Sequence, residues 1–288
     1  MNSTPTFSVV IPTCDRNDLL AKCLDRLAPD IQSFQMDNYE VIVTDDGRGI
    51  TAEQMIQEKY SWARWVCGPK KGPAANRNNG ARYARGEWLA FTDDDCIPDA
   101  EWLNAYLIAI DQYPSCLIFE GRTYADRKKI SLAEIAPINE TGGYLWSCNF
   151  LIKRELFEQM GGFDEQFPYA AMEDVDFRSR IIKAGQYFLF IKDAAVCHPW
   201  RLREGWEKLK QHQESAFIYL SIHQDELSKL NSKYYVRSVL NGLIRSTIPE
   251  GIRFKGRGVK ESLLEHLSSL EMALFLFVNY NPYKKAQR

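Results

Sequence analysis

The apolar positions in the first part of the chain fall in short continuous runs, each ended by polar residues. FSVVIPT (Phe7 to Thr13) is β-branched and stopped by Pro12, and YEVIVTDDG (Tyr39 to Gly47) repeats the scheme. Between them DLLAKCLDRL sets Leu19, Leu20, Cys23, Leu24 and Leu27 three and four residues apart, which is one face of a helix. Strand, helix, strand is a βαβ unit. The alternation continues with a helix from Glu53 to Tyr60, a strand at ARWVCGP, a helix across ANRNNGARYARG and the strand EWLAF. Runs that are apolar throughout, rather than at every second residue, mark strands covered on both faces. Roughly the first 120 residues therefore predict an open α/β fold with a mostly parallel central sheet flanked by helices.

The second half changes character. WSCNFLIKRELFEQMGGFDE (Trp146 to Glu165) reads as a strand, a short helix and a Gly-Gly turn, and EDVDFRSRIIKAG as a helix with Val175, Ile181 and Ile182 inward. YFLFIKDAAVCHPW supplies a strand ending at His198. From Trp206 onward the pattern is mostly helical, with breaks expected at Pro249 and at the glycine-rich EGIRFKGRG. No repeat or low-complexity tract interrupts it. The expected division is an α/β domain over residues 1–204 and a helical extension over 205–288, packed on the core or turned toward an acceptor or a membrane.

Composition narrows the partners. Lys and Arg number 36 against 38 Asp and Glu, a net charge of -2, which argues against nucleic acid. The seven cysteines include no C-x-x-C pair, so neither a zinc site nor a disulfide framework is expected, and a reducing cytoplasm fits. No segment has the form of a secretory signal, and MALFLFV (Met272 to Val278) is far shorter than the roughly 20 apolar residues a spanning helix needs.

Ligands in open α/β sheets bind outside the carboxyl ends of the strands. Those ends carry Thr13 and Asp15, then Asp45 and Asp46, then Asp93, Asp94 and Asp95. Two carboxylates about 4 Å apart repel by roughly 4 kcal/mol at an effective dielectric near 20, so the triplet calls for a cation, a cationic side chain or open water. A solvated turn capping the helix DAEWLNAYLIAI is the alternative. Hard oxygen ligands suit Mg²⁺ or Mn²⁺, which bind through one or two carboxylates plus substrate phosphates. Glu173 and Asp174 are either first-turn acids favoured by a helix dipole or working carboxylates.

FSVVIPTCDR, YEVIVTDDG, GPAANRNNGARYARGEWLAFTDDD, NFLIKRELFEQMGGFDE and EDVDFRSRIIKAG, in this order over residues 7 to 200, resemble the successive motifs of the inverting family 2 glycosyltransferases with the GT-A fold. The resemblance implies a Rossmann-like nucleotide-binding sheet and transfer of a sugar from a UDP- or GDP-linked donor to an acceptor hydroxyl with inversion, in polysaccharide, glycolipid or glycoconjugate synthesis. Asp93 and Asp95 match the D-x-D motif around Asp94, with Asp95 as metal ligand and Asp93 on the metal or the donor's ribose or sugar. Pro12, Thr13 and Asp46 match the contacts to the base, with Asp45 as the neighbour of Asp46 and Asp15, Arg16 and Asp94 in the same donor-binding set. Arg77 matches the arginine of the A-R-N segment near base and phosphates, although Asn76 stands where alanine is usual. By the same resemblance Asp174 is the base that takes the acceptor's proton, Glu173 its helper, and His198 completes a Mn²⁺ or Mg²⁺ site. Trp146, Cys148 and Asn149 fall where relatives line the sugar or acceptor pocket, and aromatic packing into the core is the alternative reading.

The Q-x-x-R-W motif of processive members is absent, which favours one sugar per encounter. The acceptor is a saccharide, free or lipid-linked. LEMALFLFV beside Lys284, Lys285 and Arg288 either docks on the core or touches the inner face of a membrane. Two rivals remain: a sugar nucleotidyltransferase, which needs a glycine-rich, lysine-bearing loop that IPTCDRND does not offer, and a nucleotide-sugar-binding module without turnover.

Overall fold

Every residue of Phe7–Thr13 and of Tyr39–Asp45 is buried, which is what an apolar run without alternation demands. The computed structural model describes residues 4–35, 38–203 and 205–280, so Lys284, Lys285 and Arg288 lie outside the described residues. In chain order the elements are β1 (Phe7–Thr13), α1 (Asn17–Leu27), β2 (Tyr39–Asp45), α2 (Glu53–Lys59), β3 (Ala63–Cys67), α3 (Pro73–Arg82), β4 (Trp88–Thr92), β5 (Ile97–Pro98), α4 (Trp102–Gln112) and β6 (Ile118–Tyr124). They continue with β7 (Glu134–Ile135), β8 (Asn149–Lys153), α5 (Arg154–Gln159), α6 (Glu173–Lys183), β9 (Leu189–Cys197), β10 (Arg201–Leu202), α7 (Trp206–Ile222), α8 (Ser232–Gly242), α9 (Ile248–Arg253) and α10 (Val259–Asn279). The chain divides into two compact units, one of residues 1–126 and 136–199, the other of residues 127–135 and 200–288.

The first unit holds an eight-stranded sheet in the order β3-β2-β1-β4-β8-β6-β9-β5. β3, β2, β1 and β4 run parallel, and Thr13 lies level with Asp45, so their carboxyl ends form one rim. β8 enters antiparallel between β4 and β6, and β6 pairs parallel with β9. Helix α1 buries Leu20, Cys23, Leu24 and Leu27, as its spacing predicts. Below the rim Phe91 stacks on Phe150 and meets Phe163 edge-on, closing the core against α5 and α6.

The phase of α6 differs from the expected one. Its buried residues are Glu173, Asp176, Phe177 and Ile181, while Ile182 is 51% exposed. Asp176 turns inward because Arg180, one helical turn on, donates to it at 2.8 Å and also donates to the carbonyls of Met160 and Gly162. A polar clasp on the Gly-Gly turn thus sets the rotation that apolar spacing alone assigned to Ile182.

In the second unit β7 and β10 pair antiparallel. Leu132 N–H donates to the carbonyl of Arg257, and a side chain at Gly258 (φ 82°) would overlap the backbone of Leu132 and Ala133, so residues 127–135 are tied to the helices that follow 200. Pro249 does not break the helix: α8 continues through one π-turn, Leu243–Thr247, into α9, and this wider turn lies directly before the turn that carries Pro249. The break comes at Gly256 and Gly258 instead, both at positive φ.

Candidate active site

Arg77, Arg16, Thr13 and His198 between them partner the three aspartates of the triplet. Asp93 accepts from Arg77 at 2.6 Å. Asp94, fully buried, accepts from Thr13 Oγ1 at 2.7 Å and pairs with Arg16, and burial pushes its carboxyl up to about 7 in spite of that arginine. Asp95 lies 3.4 Å from both Arg16 Nη1 and His198 Nε2. The triplet is therefore no solvated turn, and cationic side chains answer much of its mutual repulsion.

Arg77 joins two distant segments. Its guanidinium is buried, donating to Asp93 through Nη2 and to Glu173 Oε1 through Nη1 at 2.9 Å, and it lies over the Phe163 ring. Burial pulls its pKa down, but Asp93 and Glu173 outweigh it and hold the group charged. Rather than facing open donor space, Arg77 brings the D-x-D segment to the first turn of α6. There burial pushes Glu173 up to about 7 and Asp174 above the usual carboxylate range. Asp174 is partly exposed and accepts from Val175 N–H at 2.8 Å. Met172, at φ 72°, caps this helix in a conformation costly for a bulky residue, and Leu145 (φ 52°) is strained likewise.

The acids at and just past the ends of β1 and β2 hold loops. Asp15 accepts from the N–H groups of Arg48, Gly49 and Ile50, and these bonds lower its pKa. Asp45 accepts from Gly47 N–H, Ala52 N–H and Trp65 Nε1. Asp46 takes one bond on each oxygen, from Lys70 and Gly72 N–H, which leaves each oxygen a further lone pair, and burial raises its pKa. Asn76, the departure from the expected alanine, ties β1 to β2 by donating to the carbonyls of Thr13 and Thr44 and accepting from Thr44 Oγ1. Pro12 is buried in β1 beside it.

Asn149 is built into the core. Its Oδ1 accepts from Trp102 Nε1 and Tyr106 Oη, both at 2.8 Å, and its Nδ2 donates to the carbonyls of Arg122 and Ala194, so no donor or acceptor remains for a sugar. Cys148 is likewise buried, with its carbonyl facing the Cys96 thiol. Trp146 is only partly buried and stacks on Tyr144 at 4.4 Å.

Glu120 escaped the sequence reading, because an acid inside the run IFEG has no local sign of its partners. Fully buried, it accepts from Asn139 Nδ2 and from the N–H groups of Gly143, Tyr144 and Leu145, at 2.6 to 2.8 Å. It thereby holds the segment that carries Trp146. Glu120→Gln, which sets an amide N–H against those donors, is expected to lower unfolding free energy by at least about 2 kcal/mol and to open the 139–147 segment to limited proteolysis.

The donor set at Asp95 fits a divalent cation. His198 Nδ1 lies 3.0 Å from the Pro199 carbonyl, which only accepts; a neutral ring then carries its proton on Nδ1 and turns the Nε2 lone pair toward Asp95 Oδ1. In that tautomer the two residues offer a cation one ligand atom each, 3.4 Å apart. The Cys96 thiol lies within 4.8 Å of the same atoms, but it is fully buried and softer than Mg²⁺ or Mn²⁺ prefers. Arg77 Nε and Glu173 Oε2 are buried polar atoms without a protein partner.

Known proteins resemble this chain. A glycosyltransferase of Haemophilus influenzae, described as uncharacterized, is 29% identical over 194 residues, 62% of each chain. Validoxylamine A glucosyltransferase of Streptomyces hygroscopicus is 34% identical over 218 residues, 62% of this chain and 51% of its own. This chain thus spans about half to two thirds of these relatives. Among solved structures, S. aureus TarS 1-349 in complex with UDP-GlcNAc superimposes with a TM-score of 0.56 at 22% identity, over 75% of this chain and 66% of that one, a likeness of fold. The profile of Glycosyl transferase family 2 matches residues 8–161, more than half of the chain and the whole of the rim from Thr13 to Asp95. With its mixed GT-A sheet and its convergent acids, the chain belongs to glycosyl transferase family 2.

Proposed function

We propose that this chain moves a sugar from a UDP- or GDP-linked donor to a hydroxyl of a saccharide acceptor, free or lipid-linked, with inversion at the anomeric carbon. The observation that carries the reading is Arg77, whose one guanidinium joins Asp93 to Glu173 and so sets the D-x-D segment beside Asp174. Asp174 takes the acceptor's proton as the new bond forms, and burial keeps its basicity above that of an ordinary aspartate. Glu173, held by Arg77, orients it. Asp46 and Thr13 meet the nucleotide at the rim, and Trp146 walls the sugar side. Asp95 and His198 would hold Mn²⁺ or Mg²⁺, which when bound stabilises the negative charge of the departing diphosphate, while Asp93 is engaged by Arg77. Polysaccharide or glycoconjugate synthesis is the setting in which such a reaction belongs. A related fold solved with a UDP-sugar makes UDP-linked donors the first to try.

The test is nucleotide release from a panel of UDP- and GDP-sugars with Mn²⁺, alongside thermal shift with the same compounds. One donor is expected to raise the melting temperature and to release its nucleotide, with chelation abolishing release. Stabilisation without release from any donor, with acceptor oligosaccharides present, would instead favour a binding module. Sugar-nucleotide formation from a triphosphate and a sugar phosphate would favour the nucleotidyltransferase.

A further inference from the structure

We propose that the solvent-facing side of the second unit's helices is a seat for an anionic lipid bilayer. It goes beyond the transfer reaction and is tested apart from it. Val236, Leu240, Ile244, Ile248 and Ile252 recur every four residues along α8 and α9 and are 39% to 78% exposed. In an α-helix of 3.6 residues per turn such a row would drift around the axis; the wider π-turn at Leu243–Thr247 takes up much of that drift. On α10, Leu263, Leu267, Leu270, Leu274 and Phe277 alternate steps of four and three and are 43% to 64% exposed, with Ser268, Met272 and Leu276 buried on the opposite side. The two helices pack antiparallel, Gly242 against His266 and Thr247 Oγ1 2.8 Å from Ser262 Oγ, which places both rows on one side of the pair. Isolated exposed leucines are ordinary, but two adjoining rows without a charge within them are not.

Charge decides what covers this face. Arg237, Arg245 and Arg253 each follow a member of the apolar row by one residue, Lys233 stands one turn before Val236, and no carboxylate pairs with any of the four among the described residues. The sequence of the second unit carries 18 Lys and Arg against 10 Asp and Glu, a net of +8, whereas the first carries 18 against 28, a net of -10. A second copy docked through the same face would bring two such cationic units together, whereas an anionic surface complements them. No helix among the described residues is long and apolar enough to cross a membrane, so these helices lie on the bilayer with their basic edge at the headgroups.

The experiment is co-sedimentation of the full chain with phosphatidylcholine vesicles, with and without phosphatidylglycerol, at low and high salt. Binding is expected only to the phosphatidylglycerol vesicles and is expected to weaken with salt. Arg237→Gln with Arg245→Gln should lower the partition coefficient about 25-fold, roughly fivefold per charge. Ile244→Asp with Leu274→Asp should lower it more than about tenfold. These positions are exposed, so circular dichroism and vesicle-free nucleotide release should match the parent; release unchanged while binding is lost separates this face from the transfer chemistry. Absence of binding to phosphatidylglycerol vesicles would overturn the proposal, as would equal binding to neutral ones. A dimer by light scattering that the Asp pair splits would also overturn it and make the face an interface between copies.

Discussion

Asp174→Asn is expected to release nucleotide about 10²–10⁴ times more slowly than the parent while binding the donor with unchanged affinity. Asn keeps the oxygen that accepts from Val175 N–H, so the helix start is preserved and only the capacity to take a proton is lost. The parent's pH profile gives a second reading. The base works ionised, and burial raises its pKa, so turnover falls on the acid side as Asp174 takes up a proton, at a pH above the ordinary aspartate value near 3.9. The residual rate of the Asn variant should lack that limb. A profile with the same limb in the variant, or a variant as fast as the parent, would place the base elsewhere.

Arg77→Met should remove about 3–5 kcal/mol of stability, because Asp93 and Glu173 lose the charge they share inside the unit. The loss carries a pH signature. Glu173 already stands at about 7 in the folded chain, above the ordinary glutamate value, so the folded state binds the extra proton across that window and its stability falls as pH rises through it. Without the guanidinium the value rises further, and the deficit should shrink at low pH, where Glu173 is neutral, and deepen in mild alkali. Urea unfolding on both sides of neutrality measures this. A deficit independent of pH would mean that lost packing against Phe163, rather than unpaired charge, is responsible.

The parts of this molecule legible in its sequence are those governed by neighbours along the chain. The runs that became β1, β2 and β4 end at one rim because βαβ connections leave little choice, and the acids at those ends were visible as a group. Their partners were not. Asp15 and Asp45 look identical in kind to Asp93 and Asp95, yet the first two are consumed by backbone N–H groups of the 47–52 loop, a geometry that no spacing reveals. Asn149 gave the same impression of a pocket residue, while its four bonds go to residues 27 to 47 positions away. The rotation of α6 was misread for a related reason: Arg180 reaches across to the Gly-Gly turn, and a long-range polar clasp overrode the apolar count.

The π-turn inside the long helix that starts at Ser232 gives chain length a role that composition does not have. Trimming a single residue between Leu243 and Thr247 would let the segment relax into ordinary α-helix with everything beyond it still in phase, whereas winding all the residues as α-helix would swing that part by about 100°. Ile248 and Ile252 would then leave the line begun by Val236 and Leu240 without any change of amino-acid type. A comparison of relatives on this segment should therefore count residues before it compares them.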